Sequence, residues 1–212
     1  MTNGRAAALT LLLAPLACAL TSPIVQTQVM QVSPGMLQKV AVAPFQPDPG
    51  LRPRSEPPVS AALAAELVTR FVAEALAARG IAVVAPNDLT LAFESQGTVL
   101  PRGDAAALSA LAASQFGATA IVVGNVTRFQ EREGGARGAL RPASIGFNFT
   151  LHVAPTGVAA YRARFDHTQA ALSDDLFGSI RYPGGGSRWL TAAELARWGA
   201  DNAVDDIPSG LK

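Results

Sequence analysis

Two histidines, one cysteine and a scatter of carboxylates are the side chains of this chain whose types suit catalysis or metal binding. His167 follows Asp166 directly, and with any serine the pair can be drawn as a Ser–His–Asp relay, the carboxylate orienting an imidazole that takes the hydroxyl proton. No G-x-S-x-G turn exists to expose and activate such a serine, so hydrolysis is not expected. His152 lies in an alternating stretch and reads, like His167, as a surface strand histidine. No Cys/His/carboxylate set has the spacing of a metal site. Asp174, Asp175, Glu194 and Asp201 are too scattered for a calcium loop, which needs oxygens at short regular intervals, and read as a solvated face. Gly184-Gly-Gly186 neither follows a clear strand nor ends in G-K-[ST], so it reads as a turn and not as a phosphate cradle. These patterns assign no catalytic residue, no cofactor and no metal, and the chain is not expected to be an enzyme.

Cys18 has no chemical partner elsewhere in the sequence; what distinguishes it is position. Arg5 and the amino terminus form a positive n-region, and Ala6 to Ala17 form an apolar h-region of twelve residues. A spanning helix needs ~20 apolar residues, so this stretch reads as an export signal. Two ways of processing it stay open. Ala17-Cys18-Ala19 fits the small-x-small rule, with a cut after Ala19 that discards the thiol and releases a soluble periplasmic protein. Leu16-Ala17-Cys18 resembles the end of a bacterial lipobox, with a cut before a lipidated cysteine, and Pro15 stands where such boxes usually have Leu. Exported chains rarely keep an odd cysteine, which favours the second reading. One acyl chain binds a bilayer only marginally at ~0.8 kcal/mol per buried CH₂, so lasting anchorage needs several. Resemblance to bacterial lipoproteins implies three chains on Cys18, and Ala19, not being Asp, implies the periplasmic face of the outer membrane.

The rest of the 212 residues is globular in composition, with 49% hydrophobic and 16% charged side chains. Removing residues 1–17 takes away Arg5 and leaves 16 basic against 16 acidic side chains (17 − 1 against 16). With no Lys/Arg cluster to neutralise phosphates, nucleic acid is excluded as a partner. A single cysteine also rules out an intramolecular disulfide framework. The expected organisation is a signal peptide at 1–17, a lipidated tether at 18–38, one α/β domain at 39–205 and a loose tail at 206–212.

Within that domain, Lys39-Val-Ala-Val-Ala-Pro-Phe45 and Ile81-Ala-Val-Val-Ala-Pro86 are apolar runs closed by proline, which predicts strands buried on both faces. Gln46 to Pro58 carries five prolines in thirteen residues and reads as a loop. Between the runs, Leu63, Leu67 and Phe71 with Val68, Val72 and Leu76 predict a helix over 59–79 with Glu66, Arg70 and Glu74 on its other side. Strand, helix and strand then form a parallel unit. Asn87 or Asp88 can cap a short helix at 91–95, and Asp104 another at 105–116 stopped by Gly117. Ala118 to Phe129 begins as a third buried strand and turns to alternation. Ile145, Phe147, Phe149, Leu151 and Val153, then Ala159, Tyr161, Ala163 and Phe165, alternate with polar residues, giving an antiparallel meander. Leu172 to Ile180 reads as helical. Thr191-Ala-Ala-Glu194 reads as a capping box opening a helix with Leu195 and Trp198 on one face. The fold class is α/β: a three-layer-like mixed sheet, a parallel βαβ start followed by an antiparallel meander, and C-terminal helices.

The strongly charged stretch Glu131 to Gly138 reads as a hairpin tip. Arg128, Glu131, Arg132, Glu133 and Arg137 are its candidate contacts for a protein partner or an identical subunit. A small-ligand site, if present, is expected at the C-terminal ends of the parallel strands, near Pro44, Asp88 and Gly124.

Val-Ala-Val-Ala-Pro-Phe45, the long amphipathic helix, and Ala-Thr-Ala-Ile-Val-Val-Gly124 leading into the meander resemble the bacterial envelope lipoproteins related to the curli secretion channel and the penicillin-binding-protein activators. Phe165-Asp-His-Thr-Gln169, Ala171-Leu-Ser173 and Arg188-Trp-Leu-Thr-Ala-Ala-Glu-Leu-Ala196 resemble a mostly uncharacterised branch of them. The resemblance covers about residues 39–198. It implies a non-catalytic domain at the outer membrane, an accessory or assembly factor working through envelope proteins or identical subunits. A self-assembling structural component and a periplasmic enzyme or ligand binder are the alternatives. The two long alternating hairpins from which the curli channel builds its barrel are missing here, so pore formation is not implied.

Overall fold

A computed structural model describes residues 24–30, 35–55, 58–97, 101, 103–171, 173 and 181–208. Its parallel half is built on the apolar run β2 (Lys39–Val42), in which Val40, Ala41 and Val42 are fully buried. Two short runs, β3 (Gln46–Pro47) and, after a helix, β4 (Ala82–Val84), follow it. β2 pairs in parallel with β4 on one side and with the long strand β5 (Ala120–Gln130) on the other. The crossover helix α1 (Ala61–Ala78) is capped by Ser60, whose hydroxyl accepts from the Leu63 amide at 3.1 Å. Its buried face runs through Ala64, Ala65, Val68, Phe71, Val72, Ala75 and Leu76. Leu63, expected in the core, is 43% exposed, because the buried stripe starts one residue later.

α2 (Pro86–Ser95) starts earlier than expected. Its cap position is Ala85, with Pro86 just inside the helix, where a missing N–H costs nothing; neither Asn87 nor Asp88 caps it. α3 (Ala105–Phe116) matches expectation, with the Asp104 carboxylate accepting from Ala107 at 3.0 Å and Gly117 in the left-handed region at φ 63°.

Beyond β5 the sheet turns antiparallel. A polar excursion carries its own small two-stranded ladder, β6 (Glu133–Gly135) with β7 (Gly138–Arg141). The expected tip is therefore a second sheet. β8 (Ser144–Val153) and β9 (Val158–Thr168) complete the meander. Outside β9 lies β1 (Val25–Val29), antiparallel to it, so part of the stretch expected to be a tether is an edge strand of the domain. The strand order is β1-β9-β8-β5-β2-β4, with β3 also on β5.

α1 and the C-terminal helix α4 (Ala192–Asp205) cover one face of this seven-stranded sheet, and α2 and α3 cover the parallel half of the other. The fold is thus mixed α/β with helices on both faces, as the alternation-free β2 predicted. Under α4 the antiparallel half is aromatic: Phe45, Phe149 and Tyr161 follow one another at 6.4 and 6.2 Å between ring centroids. The Tyr161 hydroxyl donates to the Ala203 carbonyl at 3.0 Å, and burial pushes its pKa well above the ordinary tyrosine range. The segment after α4 is not loose where it is described. Ile207 is buried, and the guanidinium of Arg79, at the end of α1, donates to the carbonyls of Val204 and Ile207. Cys18, the signal and nearly all of the helix expected at Leu172–Ile180 lie outside the described residues.

Candidate functional site

Arg128, expected at the hairpin tip, instead sits inside β5. A bulge between Val126 and Arg128 shifts the ladder and turns this side chain onto the sheet face that α2 and α3 leave open. From there it crosses β8 in the row Arg128–Gly146–Asp166. A Cβ at Gly146 would stand 2.6 Å from the Thr127 hydroxyl and 3.4 Å from the Arg128 Cβ, so glycine is what lets the arginine lie flat across the strand. Its Nε donates to Ser144 at 2.6 Å, and its Nη2 ion-pairs with Asp166, which also takes Arg164 at 2.9 Å. Burial pushes the Asp166 carboxyl up, but hydrogen bonds from Arg164 and Arg128 outweigh it and hold the group below its ordinary value.

This placement separates the residues of the imagined relay. Successive strand residues point to opposite faces, so Asp166 faces the arginines while His167 turns to the covered side. There His167 Nε2 is 2.6 Å from the Tyr182 hydroxyl, and its ring packs between Phe165, Tyr182 and Trp198 at 5.6–5.9 Å. It is a half-buried member of an aromatic cluster, not a surface histidine. His152 Nδ1 lies 2.8 Å from the Gly157 carbonyl and locks the β8–β9 turn.

The remaining predicted contacts form a clasp. The Glu131 carboxylate accepts from the Ala192 amide at 3.0 Å, at the N-terminus of α4 where negative charge is favoured. Arg132 donates to the Trp189 carbonyl at 2.6 Å. Glu133 pairs with Arg54 at 3.4 Å and Arg141 at 3.1 Å. Arg54 belongs to the proline-rich loop after β3, so one acidic residue ties that loop to β7. Between these groups and Thr191 is a polar hollow of about 710 Å³. Arg137, at the turn, is exposed.

Glu194, grouped on paper with Asp174, Asp175 and Asp201, is fully used by its own helix. It accepts from Thr191 to complete the capping box and holds Arg188 through two bonds of 2.8 Å. The Arg188 bonds bring its pKa down to about 2, against burial. Asp201 is shifted the other way, upward, chiefly by burial. Asp174 and Asp175 lie outside the described residues, among which no group of three or more His, Cys, Asp or Glu is placed to hold a metal ion.

At the C-terminal ends of β2 and β4 there is a cleft of about 770 Å³ along α1, walled by Pro44, Phe45, Pro47, Val83 and the alanines at 62, 65, 73 and 77. Of the three residues expected to mark a ligand site there, Pro44 lines it and Asp88 and Gly124 do not. Gly124 lies beneath the Phe45 ring, which fills the space above β5. Of the cleft's polar side chains, Glu74 pairs with Arg70 and Arg197, and Thr69 accepts from the Phe45 amide while donating to Ala65. The sequence points to this end of the parallel strands and to Pro44 but not to the wall along α1, although alanines three or four apart on that helix are its visible signal. The aromatic cluster is not visible in the sequence, because Phe165, Tyr182 and Trp198 are too far apart in the chain to be read as one group.

No family profile matches this chain, and no curated protein does. Among solved structures it is similar to the PelC dodecamer from Paraburkholderia phytofirmans, at 17% identity and a TM-score of 0.48 over 88% of this chain and 96% of that one. It is also similar to lipoprotein GNA1162 from Neisseria meningitidis, at 15% identity and a TM-score of 0.43 over 68% of this chain and 90% of that one. The LpoB C-terminal domain from Salmonella enterica is similar at 16% identity and a TM-score of 0.41, over 65% of this chain and 86% of that one. These are likenesses of architecture to proteins such as a Neisseria lipoprotein, and the link to the curli channel rests on the sequence resemblance alone.

Proposed function

We propose that this chain is an envelope lipoprotein, held at the periplasmic face of the outer membrane by lipid on Cys18, and that its domain acts through protein contacts, not by catalysis. The observation that carries the reading is the place of the single cysteine, at the end of an apolar export signal and seven residues before the first strand at Val25. One further feature supports it. The polar groups that suggested chemistry are engaged in capping α4, bridging strands and clasping loops. No helix of the described residues is long and apolar enough to cross a membrane.

Metabolic labelling with a palmitate analogue in a Gram-negative host tests the anchor. The wild-type chain takes up label and fractionates with outer membranes, and Cys18→Ser loses both properties. Wild-type protein that stays unlabelled and is released as a soluble periplasmic species overturns the reading.

A further inference from the structure

The two edges of the main sheet differ. β4 is three residues long, too short to template another strand, whereas β1 offers five residues with no charge, no proline and no bulge. Short strands, charges, prolines and bulges are the usual protection of a sheet edge, and β1 has none of them. Among the described residues its outer side pairs with nothing.

Hydrogen-bond parity fixes which groups face outward. The Met30 amide donates to the Ala160 carbonyl at 2.8 Å, which places Met30 among the residues whose backbone N–H points at β9. Antiparallel ladders alternate, so Gln28 and Gln26 also bond to β9, and the N–H and C=O groups of Val25, Thr27 and Val29 point to the free edge. The strand reads Val-Gln-Thr-Gln-Val, a palindrome about Thr27.

We infer that β1 is a self-pairing edge, and that its occupant is β1 of a second copy of this chain, antiparallel across a two-fold axis at Thr27. A two-fold contact must present the same strand to itself in reverse, and a palindrome does so without mismatch. Thr27 then faces Thr27 of the other copy, and Val25 faces Val29. Each is an outward-facing residue, so each pair exchanges both backbone bonds with no frustrated donor. Val29, 49% exposed in one copy, comes to lie beside Val25 of the other at the margin of the core. The alternating Gln26 and Gln28 meet across the axis as amide pairs, which can donate and accept in either sense.

The test uses single cysteines in the full chain, expressed in a Gram-negative host and oxidised with copper–phenanthroline. Cys18 contributes no free thiol under either processing, since it is lipidated or removed with the signal, so any disulfide comes from the introduced cysteine alone. Paired Thr27 residues have Cα atoms about 5.5 Å apart, within disulfide range. Thr27→Cys is expected to give a dimer on a non-reducing gel. Val29→Cys places the two thiols four residues apart along the strands, about 14 Å, and is expected to stay monomeric. Adding Val29→Pro to Thr27→Cys removes an outward N–H while sparing the bonds to β9, and should lower the dimer yield about tenfold, the scale of two lost backbone hydrogen bonds. Absence of a Thr27→Cys dimer, equal dimer from Val29→Cys, or indifference to Val29→Pro with an unchanged melting curve would each overturn the proposal.

Discussion

Adding one methyl group at Gly124 tests the packing that closes the sheet above β5. An ideal Cβ there would stand 2.5 Å from Phe45 Cε2 and Cζ, and 2.8 Å from the Asn148 carbonyl. Carbon pairs pack at about 3.5–4.0 Å, so the ring must retreat by about 1 Å. It has little room to do so: Phe45 is 3% exposed, its amide is held by Thr69 at 2.9 Å, and its ring faces Phe149. Overpacking of this kind costs about 1–3 kcal/mol, and the lower chain entropy of alanine returns about 0.5–1, so Gly124→Ala should destabilise by about 1–2 kcal/mol. For a domain of this size that is a fall in Tm of roughly 2–8 °C. Urea unfolding followed by circular dichroism measures it, and Phe45→Leu supplies the second corner of a double-mutant cycle. With the ring gone only the Asn148 carbonyl contact remains, so the same methyl should cost about 1 kcal/mol less than in the wild type, and the two sites couple by about that amount. A neutral or stabilising Gly124→Ala refutes the packing, and an equal cost in both backgrounds shows that the Asn148 carbonyl, not Phe45, sets the limit.

Two further perturbations follow from buried or paired polar groups. Because Arg188 holds Glu194 down to about 2 from an ordinary 4.5, the stability it contributes is fully present above pH 4.5 and is lost as the pH falls toward 2. With its side chain 38% exposed that contribution is discounted to about 1 kcal/mol, so Glu194→Gln should flatten the acid limb of the urea midpoint over this window, and an unchanged limb refutes the assignment. Ser109 is fully buried on α3, and its hydroxyl finds no hydrogen-bond partner among the described residues, so Ser109→Ala should raise stability by up to about 1 kcal/mol. A loss in chemical denaturation would reveal a partner for that hydroxyl.

The elements set by local rules were legible in the sequence. An apolar run without alternation became the buried β2, Asp104 and Gly117 bounded α3, and Thr191 with Glu194 formed the capping box, because each signal lies within a few residues of its effect. What could not be read depends on partners distant in the chain. Gln26, Thr27 and Gln28 look like linker residues until β9, more than 130 residues later, supplies a ladder for them. Phe45 and Gly124 fit each other across 79 positions (124 − 45), and nothing local to either announces it. The placement of the charged cluster was hidden for the same reason. Arg128 was placed with its sequence neighbours, whereas a bulge and a glycine on the adjacent strand send it to Asp166.

That reassignment changes where an interaction is to be sought. The charges at 128–133 are spent on strand bridging, on the N-terminus of α4 and on the loop holding Arg54, so removing one would loosen the fold before it altered any contact. The edge of β1 is different, since its outward backbone groups have no use within the described residues. Five paired residues bury well below the ~1,200–2,000 Å² of a stable interface, so two chains free in solution would associate weakly. Lipid on Cys18 would alter that balance. Seven residues of extended chain span at most about 25 Å, which keeps β1 beside the bilayer, and confinement to a plane raises the effective concentration of one edge for another. The cleft along α1 opens at β4, five strand spacings or about 24 Å from β1, on the far side of the sheet. An anchored pair would therefore join at the membrane-proximal edge and leave both clefts open toward the periplasm.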